Sequence, residues 1–284
     1  MRLINLHIKL MEVKNIVLLV IFMLGFVFMQ FAQAQSVDDI INKYIDAKGG
    51  KDKLNAIKSV YMEGSREMMG SEVAVKVTTV QGLLFRNDFE FGGTSGYTIV
   101  TPSQGWSFIP MRSQNVEIIP ADRLKTMQGQ LDIAGPLVDH IAKGNKVELQ
   151  GKETVNGKEA HKIKMTLNSG KELTFFIDTQ TNFLIQSRQM SAAMGNNAPQ
   201  EMITNYSDYK SIDGIMFPQT ITNPGIGVTG GSTTFDTIII NKTIDESQYK
   251  PSNNPHHFTN KASIKILRLF VSQDLVSSKL NFTL

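Results

Sequence analysis

The chain contains no cysteine. That absence removes disulfides, thiolate metal sites, cysteine nucleophiles and an N-terminal lipidated cysteine, so the fold must be held by its own apolar core. Catalytic signatures are missing as well: no His-Glu-x-x-His, Gly-x-Ser-x-Gly elbow, phosphate loop or Gly-rich dinucleotide fingerprint occurs. Of five histidines, His7 lies near the start and His256 and His257 near the end, which leaves His140 and His161. Only Asp139 stands nearby as a carboxylate, and the spacing favours structural or solvated histidines. Asp38 and Asp39 fit helix capping, and Gly92-Gly93 and Gly230-Gly231 read as turns. The expectation is a non-catalytic protein without cofactor or metal.

Long apolar runs are scarce too. The one present, Ile16 to Phe31, follows Arg2, Lys9 and Lys14 and ends in Ala32-Gln33-Ala34. Basic flank, apolar stretch and small residues in that order mark a secretory signal peptide over residues 1–34. Cleavage after Ala34 would leave Gln35 first and place the mature protein in the periplasm. A retained anchor is the competing reading, because the run approaches the roughly 20 residues that a span needs. A second start at Met11 would shorten the leader. Of the net charge of +3, residues 1–34 hold +2 and residues 251–284 hold +3, leaving −2 for the body. A mildly acidic body lacks the basic face that nucleic-acid binding requires.

What is present is alternation. Ser36, with Asp39 three residues on, reads as an N-cap, and Val37, Ile40, Ile41, Tyr44 and Ile45 share one helical stripe that ends at Gly49-Gly50. Leu54 and Ile57 mark a second short helix. From Val60 the period becomes two, which predicts strands with one wet face. Leu124, Met127, Leu131, Leu137, Val138 and Ile141 interrupt the strands with one or two short helices, broken at Gly135-Pro136. This segment is a lid or an ordinary packing helix. After Lys146, short turns at Asn156-Gly157, Asn168 to Gly170, Asp178 to Asn182 and Asp213-Gly214 force neighbouring strands antiparallel, up to a last strand near Thr234 to Lys242. The fold class is α+β, mainly β: a strongly curved antiparallel sheet, an incomplete barrel, wrapped around a few helices over residues 35–250. Residues 251–284 read as an atypical tail, either an extension or a shifted reading frame.

Ten methionines fall between Met62 and Met216. Methionine is flexible and polarisable, and it suits surfaces that accept variable apolar shapes, although it also fills gaps in curved cores. A half-open sheet around few helices leaves a cavity. On the alternation its apolar lining is Met62, Met68, Val75, Val77, Phe85, Phe89, Trp106, Phe108, Met165, Phe175 and Ile177, with Leu131 and Leu137 from the cover.

Several stretches resemble a known group: Val37 to Ile41 through Tyr44 to Ala47 and Gly49-Gly50, then Leu54 to Val60; Gly135 to Asp139; Lys146 to Leu149; Gly151 to Glu153; and Asn205 to Lys210 through Asp213 to Pro218. They are similar to Bacteroidetes-type periplasmic proteins related to the LolA-like outer-membrane lipoprotein-sorting carriers, over most of residues 36–250. The resemblance implies an incomplete antiparallel barrel enclosing helices over an apolar cavity that shields acyl chains. Trp106 to Pro110 lies where the carriers have a Trp-containing strand. Their basic residue before a Pro-Asn pair has no counterpart at Val80-Gln81-Gly82-Leu83. Two functions follow as expectations. One is a periplasmic carrier for an apolar ligand, lipid or a lipidated lipoprotein. The other is an envelope protein-interaction module that uses the same sheet without a lipid.

Overall fold

The computed structural model describes residues 36–68, 70–191, 199–225 and 230–252. The expected leader with its cleavage point, and the tail beyond Ser252, lie outside the described residues. The first helix, α1 (Val37–Lys48), begins as expected. Ser36 Oγ accepts from the Asp39 amide at 3.1 Å, and the Asp39 carboxylate accepts from the Ser36 amide at 3.3 Å. Ile40, Ile41, Tyr44 and Ile45 face the core. The helix stops at Gly49, φ +128°, where a Cβ would stand 2.6 Å from the Gly214 carbonyl oxygen. Only glycine lets the helix end rest on the Asp213-Gly214 turn. A second helix, α2 (Lys51–Asn55), follows and buries Leu54.

Thirteen strands form one antiparallel sheet. The first six are β1 (Ser59–Met68), β2 (Ser71–Val80), β3 (Leu84–Phe91), β4 (Thr94–Val100), β5 (Gly105–Phe108) and β6 (Glu117–Ile118). The remainder are β7 (Lys146–Val155), β8 (Lys158–Thr166), β9 (Glu172–Asp178), β10 (Leu184–Ser191), β11 (Gln200–Ile212), β12 (Ile215–Asn223) and β13 (Gly231–Ile240). Each group pairs with its sequence neighbours as a meander. Among the described residues the two meanders pair with each other only at β1 and β13, Val60 opposite Ile240. Asn156 (φ +50°) and Gly157 (φ +78°) close the β7–β8 hairpin, and Asp213 with Gly214 closes β11–β12 in the same left-handed way.

The sheet curls without closing into a barrel. Helix α1 packs on both β12 and β7, which are five strands apart. On a flat sheet that separation is about 24 Å at 4.8 Å per strand, whereas a helix with its side chains is only about 10–12 Å wide. Gly64 aids the bend: β1 is in a register shift against β13 there, and a Cβ would come within 1.9 Å of the Thr234 carbonyl oxygen. The β6 edge is two residues long, and the β7 edge carries Lys146, Glu148 and Lys152. Both features discourage edge-to-edge pairing.

Of the one or two short helices expected between the meanders, one forms, ahead of the break at Gly135-Pro136. Helix α3 (Ala121–Met127) and a 3-10 turn (Gln128–Leu131) form, but residues 136–144 run as successive turns. Gly135 at φ +86° and Asp139 at φ +54° leave the right-handed helical region and break any helix there. The turns still cover the core with Ala134, Leu137 and Val138. Asp139 anchors them: Lys51 pairs with its carboxylate, Asn55 Nδ2 donates to it at 2.8 Å, and these partners hold its pKa below the ordinary carboxylate value.

The main core lies between the concave face and the helices. Ile40, Ile41, Tyr44 and Leu54 meet Val73 and Val75 from one meander and Ile163, Met165, Phe175, Ile177, Ile215 and Phe217 from the other. The expectation of a wet outer face fails in two places. Val155, Ala160, Phe176 and Ile185 bury a patch on β7–β10. Leu84, Tyr97 and Ile99 form another on β3–β4, covered by the closing 3-10 turn Glu246–Tyr249.

Candidate functional site

The strand registers decide which residues share the concave face. Val75 opposes Phe89 and Gly64, and Met62 opposes Val77, so Met62, Val75, Val77 and Phe89 stand together. Phe85 opposes Val100, and both pack with Leu131 in an adjoining cluster. On the far meander Ile163 opposes Phe175, Met165 opposes Leu173 and His161 opposes Ile177. Of the expected lining residues, Val75, Leu137, Met165, Phe175 and Ile177 are buried in the main core, and Met62, Val77 and Phe89 pack against it half-buried. The backbone of Met68 ends β1 opposite Ser71; its side chain lies outside the described residues.

Trp106 and Phe108 are on the other side, a correction to the expected lining. Trp106 opposes Ile99 and Phe108 opposes Tyr97, and all four pack in the outer patch with Leu84. Their concave neighbours on β5 are instead Gly105, opposite Val100, and Ser107, opposite Thr98. The error has a physical cause: β5, Gly-Trp-Ser-Phe, does alternate, but here the outer face is also covered, and its apolar parity faces that outer patch, so alternation alone does not tell inside from outside.

The helices do not cover the whole concave face. Half-buried apolar residues pack against the core cluster: Met62, Val77, Phe89 and Phe91 on the first meander, and Val147, Leu149, Leu167, Leu173, Ile212 and Ile221 on the second. Met202, 39% exposed, shares the face of Ser187 and Phe175 through successive pairings. The Phe89 ring lies along the sheet over Gly96, where a Cβ would be 2.3 Å from its Cζ. A glycine here keeps that ring flat on the sheet and leaves the space above it unfilled by a side chain from β4.

Polar groups also share this face, among them Asn87, Thr98 and Ser107 by register. His161 is buried, and burial together with the nearby Lys152 pushes its pKa below the ordinary imidazole value, so it is neutral at neutral pH. Tyr206 and Ser187 share a hydrogen bond of 3.0 Å between their hydroxyls, and burial raises the tyrosine pKa. In β1 to β3, Glu63, Glu67, Glu72, Lys76, Arg86, Asp88 and Glu90 all share the outer face by register, while Arg66, opposite Val73, is on the concave one. No group of three or more His, Cys, Asp or Glu suited to a metal exists among the described residues. Nor is any helix among them long and apolar enough to cross a membrane.

Arg66 and Met202 went unnoticed in the sequence. Arg66 interrupts the apolar parity of β1, which was the available signal; Met202 belongs to a strand whose face depends on a long-range register.

Neither a sequence-family profile nor a curated protein matches the chain. Among solved structures it is similar to a LolA superfamily protein from Nitrosomonas europaea, with a TM-score of 0.49 and 11% identity over 77% of this chain and 99% of that one. It is also similar to a domain from Vibrio parahaemolyticus described as an outer membrane lipoprotein-sorting protein, with a TM-score of 0.45 and 15% identity over 75% and 95% of the two chains. A DUF1329 family protein from Desulfovibrio piger gives a TM-score of 0.43 at 15% identity over 75% and 97%. These are likenesses of outline at low identity.

Proposed function

We propose that this chain is an exported, periplasmic binding protein for an apolar ligand, a lipid or the acyl chains of a lipidated protein, and that it carries its cargo without chemical change. The observation that supports this most directly is the strip of half-buried apolar side chains, Met62, Val77, Phe89 and Phe91, packed against the core cluster on the concave face. Each buried acyl methylene contributes about 0.8 kcal/mol, so a partly covered groove of this kind gains useful affinity from one chain. Residues 35–250 form the binding unit on this reading, and the turns at 132–145 act as its cover. Val75, Val77, Phe85, Phe89, Met62, Leu131, Leu137, Met165, Phe175 and Ile177 line or floor the groove.

Mass spectrometry of organic extracts from the purified protein tests the proposal. The expected result is an acyl-containing species near one equivalent, lost on delipidation and rebound on addition of lipid. Protein that is free of lipid and takes up none would end the carrier reading.

A further inference from the structure

The half-exposed strip has a charged end. Arg66 lies on the concave face between Val73 and Thr233, and its Nε is buried with no hydrogen-bond partner. The one hydrogen bond its guanidinium makes among the described residues is from Nη2 to the Gly230 carbonyl oxygen, a long 3.4 Å. Gly231 packs beside it, since a Cβ there would stand 2.2 Å from the Glu67 carbonyl oxygen and 3.5 Å from Nε. The acidic residues of β1 to β3 all lie across the sheet by register, and among the described residues Arg66 makes none of the ion pairs. Beyond it, Val73 and Val75 lead along the concave face towards Phe89, Met62 and Val77.

A guanidinium with an unmet buried N–H at the end of an apolar strip matches a ligand that has a single negative head and a long apolar body. Resting on the apolar-ligand reading above, we infer that the cargo is a long-chain fatty acid whose carboxylate is held by Arg66. One cation balances one carboxylate, and the planar fork of arginine suits both carboxylate oxygens. A phosphomonoester would leave a second charge unmatched.

Titration calorimetry on the delipidated protein with oleate, oleyl alcohol and dioleoylphosphatidylglycerol vesicles separates the cases. Oleate should bind at least about tenfold more tightly than oleyl alcohol, as one charge-assisted hydrogen bond implies. Arg66→Leu should bring the two to parity, and Arg66→Lys should retain part of the preference. Equal binding of oleate and alcohol by the unaltered protein, a preference for the vesicles, or an oleate preference that survives in a folded Arg66→Leu variant would overturn the head-group assignment and leave the apolar groove standing. Failure of all three ligands to bind would overturn both. If Arg66→Leu does not fold, the oleate and alcohol comparison on the unaltered protein and on Arg66→Lys still decides.

Discussion

His161 shows how one residue ties stability to pH. It is buried opposite Ile177, and its folded pKa lies below the ordinary value because burial and then Lys152 disfavour the imidazolium. The unfolded chain therefore binds the proton more readily. Stability is fully present above the unfolded pKa near 6.5 and is lost as pH falls through that value towards the folded pKa. Thermal melting between pH 7.5 and 5 should show a falling midpoint, and His161→Phe should flatten that part of the curve. An unchanged slope in the variant would place the proton uptake elsewhere. At this scale part of the core was readable: Met165 stands between Lys164 and Thr166, and Val75 alternates with Val73 and Val77 across Ala74 and Lys76, which points them to the core, whereas Phe175 and Ile177 flank Phe176, an apolar residue buried on the outer face. Trp106 and Phe108 were not readable, because Ile99 and Tyr97 beside them are buried on the outer face.

Among the elements, the short 3-10 turn at Glu246–Tyr249 is held to the outer face by Arg86, whose side chain is fully buried. The guanidinium makes two bonds from Nε, of 3.0 and 2.8 Å, and one from Nη2, of 2.7 Å, to the Asp88 carboxylate, and Nη1 donates to the Gln248 carbonyl at 3.2 Å. It also lies 5.0 Å from the Tyr97 ring centroid, while the Tyr97 hydroxyl reaches the Ser252 carbonyl at 3.2 Å. Replacing Arg86 by Met strands the carboxylate and should cost about 3–5 kcal/mol in urea denaturation, most of it recovered by adding Asp88→Leu. A smaller loss, or no recovery, would mean that solvent reaches Asp88 easily. Neither contact was visible from the sequence, because Arg86-Asn87-Asp88 looks like an ordinary wet strand face until the segment some 160 residues later folds over it. The hairpins were visible, since Asn156-Gly157 and Asp213-Gly214 carry their own backbone preference.

For the molecule as a whole, the join of β1 to β13 is, among the described residues, the one pairing between the two meanders. Gly64 sits on it, against the backbone of Thr234 and Phe235. The only tryptophan, Trp106, is in β5 and reports on the first meander together with the closing turn Glu246–Tyr249 that packs on the same patch. In the unaltered protein, urea transitions followed by Trp106 fluorescence and by far-ultraviolet circular dichroism should coincide. Gly64→Val, which forces the two strands apart, should split them, with the fluorescence change at lower urea; coincident transitions in the variant would show that the shared helical core, and not this pairing, couples the halves. The curved sheet was foreseeable from short turns and a shortage of helices, but not this topology, because nothing local in residues 59–68 announces a partner at 231–240.

That long wait between partners has a consequence for synthesis. Val60 and Ile240 are 180 positions apart, and ribosomes add about 5–20 residues per second, so a growing chain shows an unpaired β1 edge for roughly 10–40 seconds. During that interval the first meander is open to pairing with a neighbouring copy of itself, which makes the newborn chain a natural client for a holding chaperone.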